Sequence, residues 1–301
     1  MVVFKTKREK MLKVLLAVGL IVLLTSGIAI AEDNFLWEVS GPEGDFYLMG
    51  SLHYMVEGAY PLNDEVYNRL AESDTLVVEI DMREVSQFEV ESLINQLGML
   101  EPGESLEDIL DEELYQRVAN ILEPQGITRQ QFNQFKPWYI GLLISNFAGY
   151  EMEAEIVEGI DYHILTEAVE LELEIKELES LEYQYEMFAD FEQELQVEMI
   201  KDAFDDIDKG ENYSQDLAEL WLDGDVDGFY ELFFQDQNNS DAREEYYRKL
   251  FDERDVEMKE NIKEMLAEND DLFIVVGAGH VLGDNGLLNL FEQAGYEINQ
   301  L

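Results

Sequence analysis

Two segments at opposite ends of the sequence carry one pattern, and few folds accommodate both copies. Phe46-Tyr47-Leu48-Met49-Gly50-Ser51-Leu52-His53 runs an apolar stretch into Gly-x-x-His, and Leu272-Phe273-Ile274-Val275-Val276-Gly277-Ala278-Gly279-His280 does so again. Short apolar runs closed by glycine predict buried strands. Each histidine then falls just beyond a strand's carboxyl end. Ligands of open α/β sheets bind in the crevice outside those ends, so the pattern predicts one shared site built from His53 and His280. The sequence has only three histidines, which makes the repetition informative. Gly50 and Gly277 are expected to supply backbone angles that a side chain forbids, turning each histidine into the crevice.

Residues 36–39 and 46–49 flank Ser40-Gly41-Pro42-Glu43-Gly44-Asp45, which predicts a hairpin. An exposed loop is expected from His53 to Pro61. Residues 75–81 and 173–178 predict two more strands, ending near Glu79 and Glu179. Helical patterns fill 64–72, about 86–150, 159–170 and 285–294. From 181 to about 268 the chain is acidic and helical throughout, read as a helical insertion within one domain spanning 32–301. Strands alternating with helices predict an α/β fold with a mixed, largely parallel sheet and flanking helices.

Residues 1–31 stand apart. Lys5, Lys7, Arg8, Lys10 and Lys13 precede a mostly apolar run and the tripeptide Ala29-Ile30-Ala31. That is the pattern of a cleaved secretory signal peptide; left uncleaved, the run is nearly long enough to anchor the chain in a membrane. The expected location is extracytoplasmic, secreted or at the cell surface. With no cysteine there is neither a disulfide nor a lipid-modified thiol. The formal net charge of −49 argues against nucleic acid as a partner, since phosphates call for Lys and Arg. It also disfavours anionic membrane surfaces, so no membrane contact is expected once the signal is removed. The simplest account of such acidity is a halophilic adaptation to concentrated salt, which screens self-repulsion.

Four predicted strand ends carry His53, Glu79, Glu179 and His280, on one rim if the strands run parallel. His53, His280 and Glu79 make a donor set for a divalent metal with an open position. The same groups without metal could do acid–base work on water. Glu79, between Val77, Val78 and Ile80, is expected to be partly buried with a perturbed pKa. Asp161, in Gly159-Ile160-Asp161-Tyr162-His163, is placed as an acceptor that orients a site histidine; His163 itself reads as structural. Arg254 is either an oxyanion stabiliser or an ion-pair partner of local acids. No Walker loop, G-x-S-x-G elbow or H-E-x-x-H helix occurs.

These residues resemble the TraB/GumN family, with its Tiki-like metalloproteases and an erythromycin-esterase-like superfamily around it. The resemblance rests on Leu36-Trp37-Glu38-Val39, Gly50-x-x-His53, Pro61, Val77-Val78-Glu79, Gly103-Glu104-Ser105-Leu106 and Lys136-Pro137-Trp138. It continues through Gly159-Ile160-Asp161, Leu178-Glu179-Ser180 with Gln184, Glu253-Arg254, Gly277-Ala278-Gly279-His280 and Gly286-Leu287-Leu288. It implies an active centre of both Gly-x-x-His motifs and Glu79, and a divalent metal ion in Tiki-like members. The expected function is an exported, metal-dependent hydrolase of peptidase type acting on a peptide or small-molecule substrate, with water activated among His53, His280 and Glu79. The alternative is a non-catalytic protein binding a metal, haem or small ligand in the same crevice. One position departs: the family commonly carries Arg-Asn where this chain has Arg254-Asp255.

Overall fold

The computed structural model describes residues 34–151, 156–268 and 271–301, and the expected signal segment lies outside them. The main sheet has six strands in the order β6-β4-β7-β2-β1-β8. They are β1 (Leu36–Gly41), β2 (Gly44–Ser51), β4 (Thr75–Val78), β6 (Glu174–Glu177), β7 (Leu272–Gly277) and β8 (Glu297–Gln300). Strands β6, β4, β7 and β2 run parallel to one another, while β1 is antiparallel to both β2 and β8. The fold is thus mixed α/β with a mostly parallel sheet. All four residues of β4 are buried, as are the first five of β7. Successive side chains of a strand point to opposite faces, so both faces of the sheet are covered there, and continuous apolar runs are what such strands require.

Parallel pairing of β2 with β7 matches Gly50 to Val276 and Ser51 to Gly277. Segments 226 residues apart in sequence therefore end side by side. The loop expected after His53 is instead partly a strand: β3 (Tyr54–Val56) pairs antiparallel with β5 (Ile156–Glu158) in a second small sheet. Three residues with no apolar alternation give no local strand signal, and their partner lies a hundred residues away.

Between β6 and β7 the described chain is helical, through Leu181–Asp190, Gln193–Lys209, Glu211–Leu222, Val226–Phe233 and a rod from Asp241 to Leu266. Ser180, Asp225 and Ser240 start three of these by accepting from backbone N–H groups of the first turn. A π-helical turn, Arg248–Asp252, interrupts the rod just before Arg254; such turns recur at functional sites. The helix Pro137–Glu151 is apolar nearly all round because it is shared. Its Ile140 and Ile144 pack with Val118, Ile200 and Phe204, while its Trp138 packs with Phe188 and Met199. Among the described residues no helix is long and apolar enough to cross a membrane.

Candidate functional site

The carboxyl ends of β2, β4 and β7 open onto a cleft of about 680 Å³, lined by His53, Glu79, Asp161, Gln184, Arg254 and His280 among others. Leu142, Leu165, Phe188, Phe233, Leu250 and Phe251 supply apolar wall. Tyr54, Met82 and Tyr162 are exposed at its rim.

His53 follows β2, and its side chain is 71% exposed. Its Nδ1 lies 3.0 Å from Asp161 Oδ2. The local backbone explains the pairing. Ile160 N–H donates to Leu52 O at 2.9 Å, latching the start of helix Ile160–Glu170 onto the end of β2. Gly159 stands so close that a Cβ there would lie 2.4 Å from the His53 carbonyl carbon. Only glycine fits, and Asp161 two residues later reaches the imidazole. That hydrogen bond lifts the His53 pKa to about 9, with the charges of Asp161 and Glu79 assisting; the ring's large exposure leaves desolvation little opposing weight.

His280 lies beyond β7 in the short helix Ala278–Val281 and is buried. Its Nδ1 is 2.5 Å from Asp255 Oδ1. Phe251 packs edge-on against the ring at 5.1 Å. Burial pushes the Asp255 carboxyl up to about 6, with His280 opposing.

Glu79, at the end of β4, is held on both oxygens. Gly277 N–H donates to Oε1 at 2.7 Å, and Arg254 Nη2 to Oε2 at 3.0 Å. Burial alone would raise its pKa. His280 in its protonated form, the Arg254 charge and the Gly277 N–H outweigh burial and bring it to about 2. A carboxylate so stabilised is a weak base at neutral pH. Arg254 also forks onto Glu179 through Nε (2.9 Å) and Nη2 (2.6 Å) and donates to Leu250 O. Its guanidinium is therefore engaged as an ion-pair partner of acids from two strand ends. Gln184 adds a donor to Glu179 Oε2 at 2.8 Å.

Two expectations need correction. Neither Gly50 nor Gly277 has a positive φ; Gly277 sits at φ −52°. Gly50 is needed for close packing, since a Cβ there would lie 2.9 Å from Phe35 Cδ1 and 3.2 Å from Ala278 Cα. A Cβ at Gly277 would make ordinary contacts, 3.4 Å from Glu79 Oε1 and 3.8 Å from His280 Cδ2. Those two atoms thus lie within about 7 Å of each other across Gly277. His163 stands away from this group, with Nε2 3.0 Å from Tyr67 OH and its ring against Tyr60. Asp255 was singled out in the sequence only as a departure from the family's usual Arg-Asn, and its place behind His280 was missed in a chain with 68 acids.

A model of the TraB/PrgY/gumN family matches residues 35–300. An uncharacterized protein of Escherichia coli K12, YbaP, is 28% identical over 47% of this chain and 51% of its own length. Metalloprotease TIKI2 of Xenopus tropicalis is 24% identical, over 88% of this chain and 59% of its own. Metalloprotease TIKI1 of Homo sapiens is 23% identical, over 88% and 61%. The chain thus spans about half to three fifths of the curated relatives it matches. No solved structure matches it.

Proposed function

The chain belongs to the TraB/PrgY/gumN family, and on that premise we propose a hydrolase that cleaves an amide or ester bond in a peptide or small-molecule substrate. One observation carries the reading: two histidines, each with a carboxylate on Nδ1, stand at one cleft. An imidazole whose Nδ1–H is held by a carboxylate presents Nε2 as a basic, oriented nitrogen.

A divalent metal ion is the proposed cofactor, as the names of the similar metalloproteases suggest. The donor chemistry fits: His53 and His280 would hold the ion through Nε2, with Asp161 and Asp255 behind them, and Asp161 Oδ1 is a buried acceptor without a hydrogen-bond partner. Such an ion supplies Lewis-acid polarisation of the carbonyl under attack. The chain's own residues do the rest. Asp161 and Asp255 orient the two rings. Glu79, kept ionised, places negative charge near both histidines and favours a cation between them. Arg254 holds Glu79 and Glu179 in place, and the leucine and phenylalanine side chains give the cleft an apolar wall.

One observation favours a second, metal-free variant of the hydrolase. Among the described residues no group of three or more histidines and acids is placed to hold an ion. In that variant His53, with its raised pKa, donates a proton to the leaving group, while His280 Nε2 takes one from water. The test is turnover of a panel of quenched peptides and simple esters by chelator-treated and Mn²⁺-, Zn²⁺- or Co²⁺-loaded protein. Cleavage only when loaded supports the metal reading, and undiminished cleavage after chelation supports the acid–base variant. A folded protein that cleaves nothing yet binds a ligand in the cleft overturns both in favour of a binding protein.

A further inference from the structure

Asp255 sits on the helix Glu253–Leu266, 1% exposed, and faces an imidazole that is itself only 4% exposed. The contact is short, 2.5 Å from Oδ1 to Nδ1. An ionised carboxylate can only accept a hydrogen bond, whereas a neutral imidazole carries its one proton on either nitrogen. Asp255 therefore draws that proton to Nδ1 and leaves the Nε2 lone pair bare. The ring cannot readily turn over. Phe251 lies against it from the preceding π turn, and its Cδ2 edge, next to Nε2, lies toward Gly277 and Glu79 on the cleft wall. His53 also has a carboxylate on Nδ1, from Asp161, but its ring is largely open to solvent.

We propose that Asp255 is a positioning residue for His280, fixing both its ring orientation and the tautomer that keeps Nε2 unprotonated in the cleft. Whether that nitrogen then serves hydrolysis rests on the function proposed above; the tautomer does not. The chain's three histidines make a direct test practical. Imidazole ¹⁵N spectra of metal-free protein would be recorded over a pH series for wild type, Asp255→Leu and Asp255→Ala, and the neutral form of the His280 ring compared. The Leu variant keeps the side chain's branched shape without an acceptor, and circular dichroism reports that each protein is folded.

In wild type the neutral His280 ring is expected in the Nδ1–H form, with that proton slow to exchange. In either folded variant it should move to a mixture in which the Nε2–H form is populated, while His53 and His163 stay unchanged. An Nε2–H wild type overturns the assignment, as does an unchanged Nδ1–H form in the variants. Because no turnover is read, a changed tautomer in a protein that cleaves nothing sustains this role for Asp255 while refuting the hydrolase.

Discussion

Arg254 clamps Glu79 and Glu179 together: its Nη2 lies 3.0 Å from Glu79 Oε2 and 2.6 Å from Glu179 Oε2. The arginine is 5% exposed and Glu179 4%. This one guanidinium ties the ends of β4 and β6 to the helix Glu253–Leu266 that carries Asp255. Arg254→Met would leave the buried Glu179 carboxylate and the partly buried Glu79 carboxylate without their cation. Breaking a buried pair in this way costs about 3–5 kcal/mol, and urea unfolding should show a loss of that size. Arg254→Lys should recover only part of it, because an ammonium cannot reproduce the fork onto Glu179.

A second buried cluster makes a prediction about pH. On the helix Gln193–Lys209, Asp202 lies 3.2 Å from Arg243 Nη1 and accepts from Tyr247 OH. Burial, reinforced by Asp206, pushes its carboxyl up to about 7 from an ordinary 3.8. The folded state therefore binds this proton more tightly than the unfolded state. The group's stabilisation is absent above about pH 7 and grows as pH falls toward 3.8. Asp202→Asn should raise the Tm at pH 8 and lose that advantage at pH 5. Glu79 works in the opposite sense. Its pKa is depressed to about 2 from 4.5, so its contribution is full above 4.5 and lost as pH falls through 2. Melts of wild type, Asp202→Asn and Glu79→Gln from pH 3 to pH 9 would check the two signs.

Much of this frame was legible in the sequence because burial on both faces of a parallel sheet writes itself as short apolar runs. The runs into Gly50 and Gly277 gave the neighbouring strands, and the residues just beyond them gave His53 and His280. What the sequence withheld was contact made at long range. Strand β3 pairs with β5 across a hundred residues and carries no alternation of its own. Asp255 is one acid among 68, and only the folded helix shows it behind His280. The role of Gly50 is hidden for the same reason: tight contact with Phe35 and Ala278 leaves no local mark.

That contact separates the two motif glycines. Phe35 is packed among Trp37, Trp221 and Phe229 and cannot give way to a methyl group. Ala278 belongs to the segment that carries His280. Gly50→Ala should cost about 1–3 kcal/mol as overpacking and lower activity with it. Gly277→Ala meets only ordinary contacts at an ordinary φ, so its stability should change by less than about 1 kcal/mol. Parallel chemical melts of the two variants would show the difference.

The charge of −49 bears on solution behaviour. Like charges on one compact chain repel, and added salt shortens the range of that repulsion to about 3 Å at 1 M. The Tm should rise steadily between low salt and molar sodium chloride. A flat or falling series would mean that local ion pairs already balance the acidic surface.

The central claim is that His53 and His280 act together at one cleft, and mutant kinetics address it most directly. With a substrate found in the panel above, kcat/KM would be measured for wild type, His53→Ala, His280→Ala and the double variant. Groups that work as one unit are not additive. Each single substitution should remove nearly all activity, and the double variant should be no worse than either one. A folded single variant that stays within about tenfold of wild type, a barrier change of only about 1.4 kcal/mol, would contradict the account.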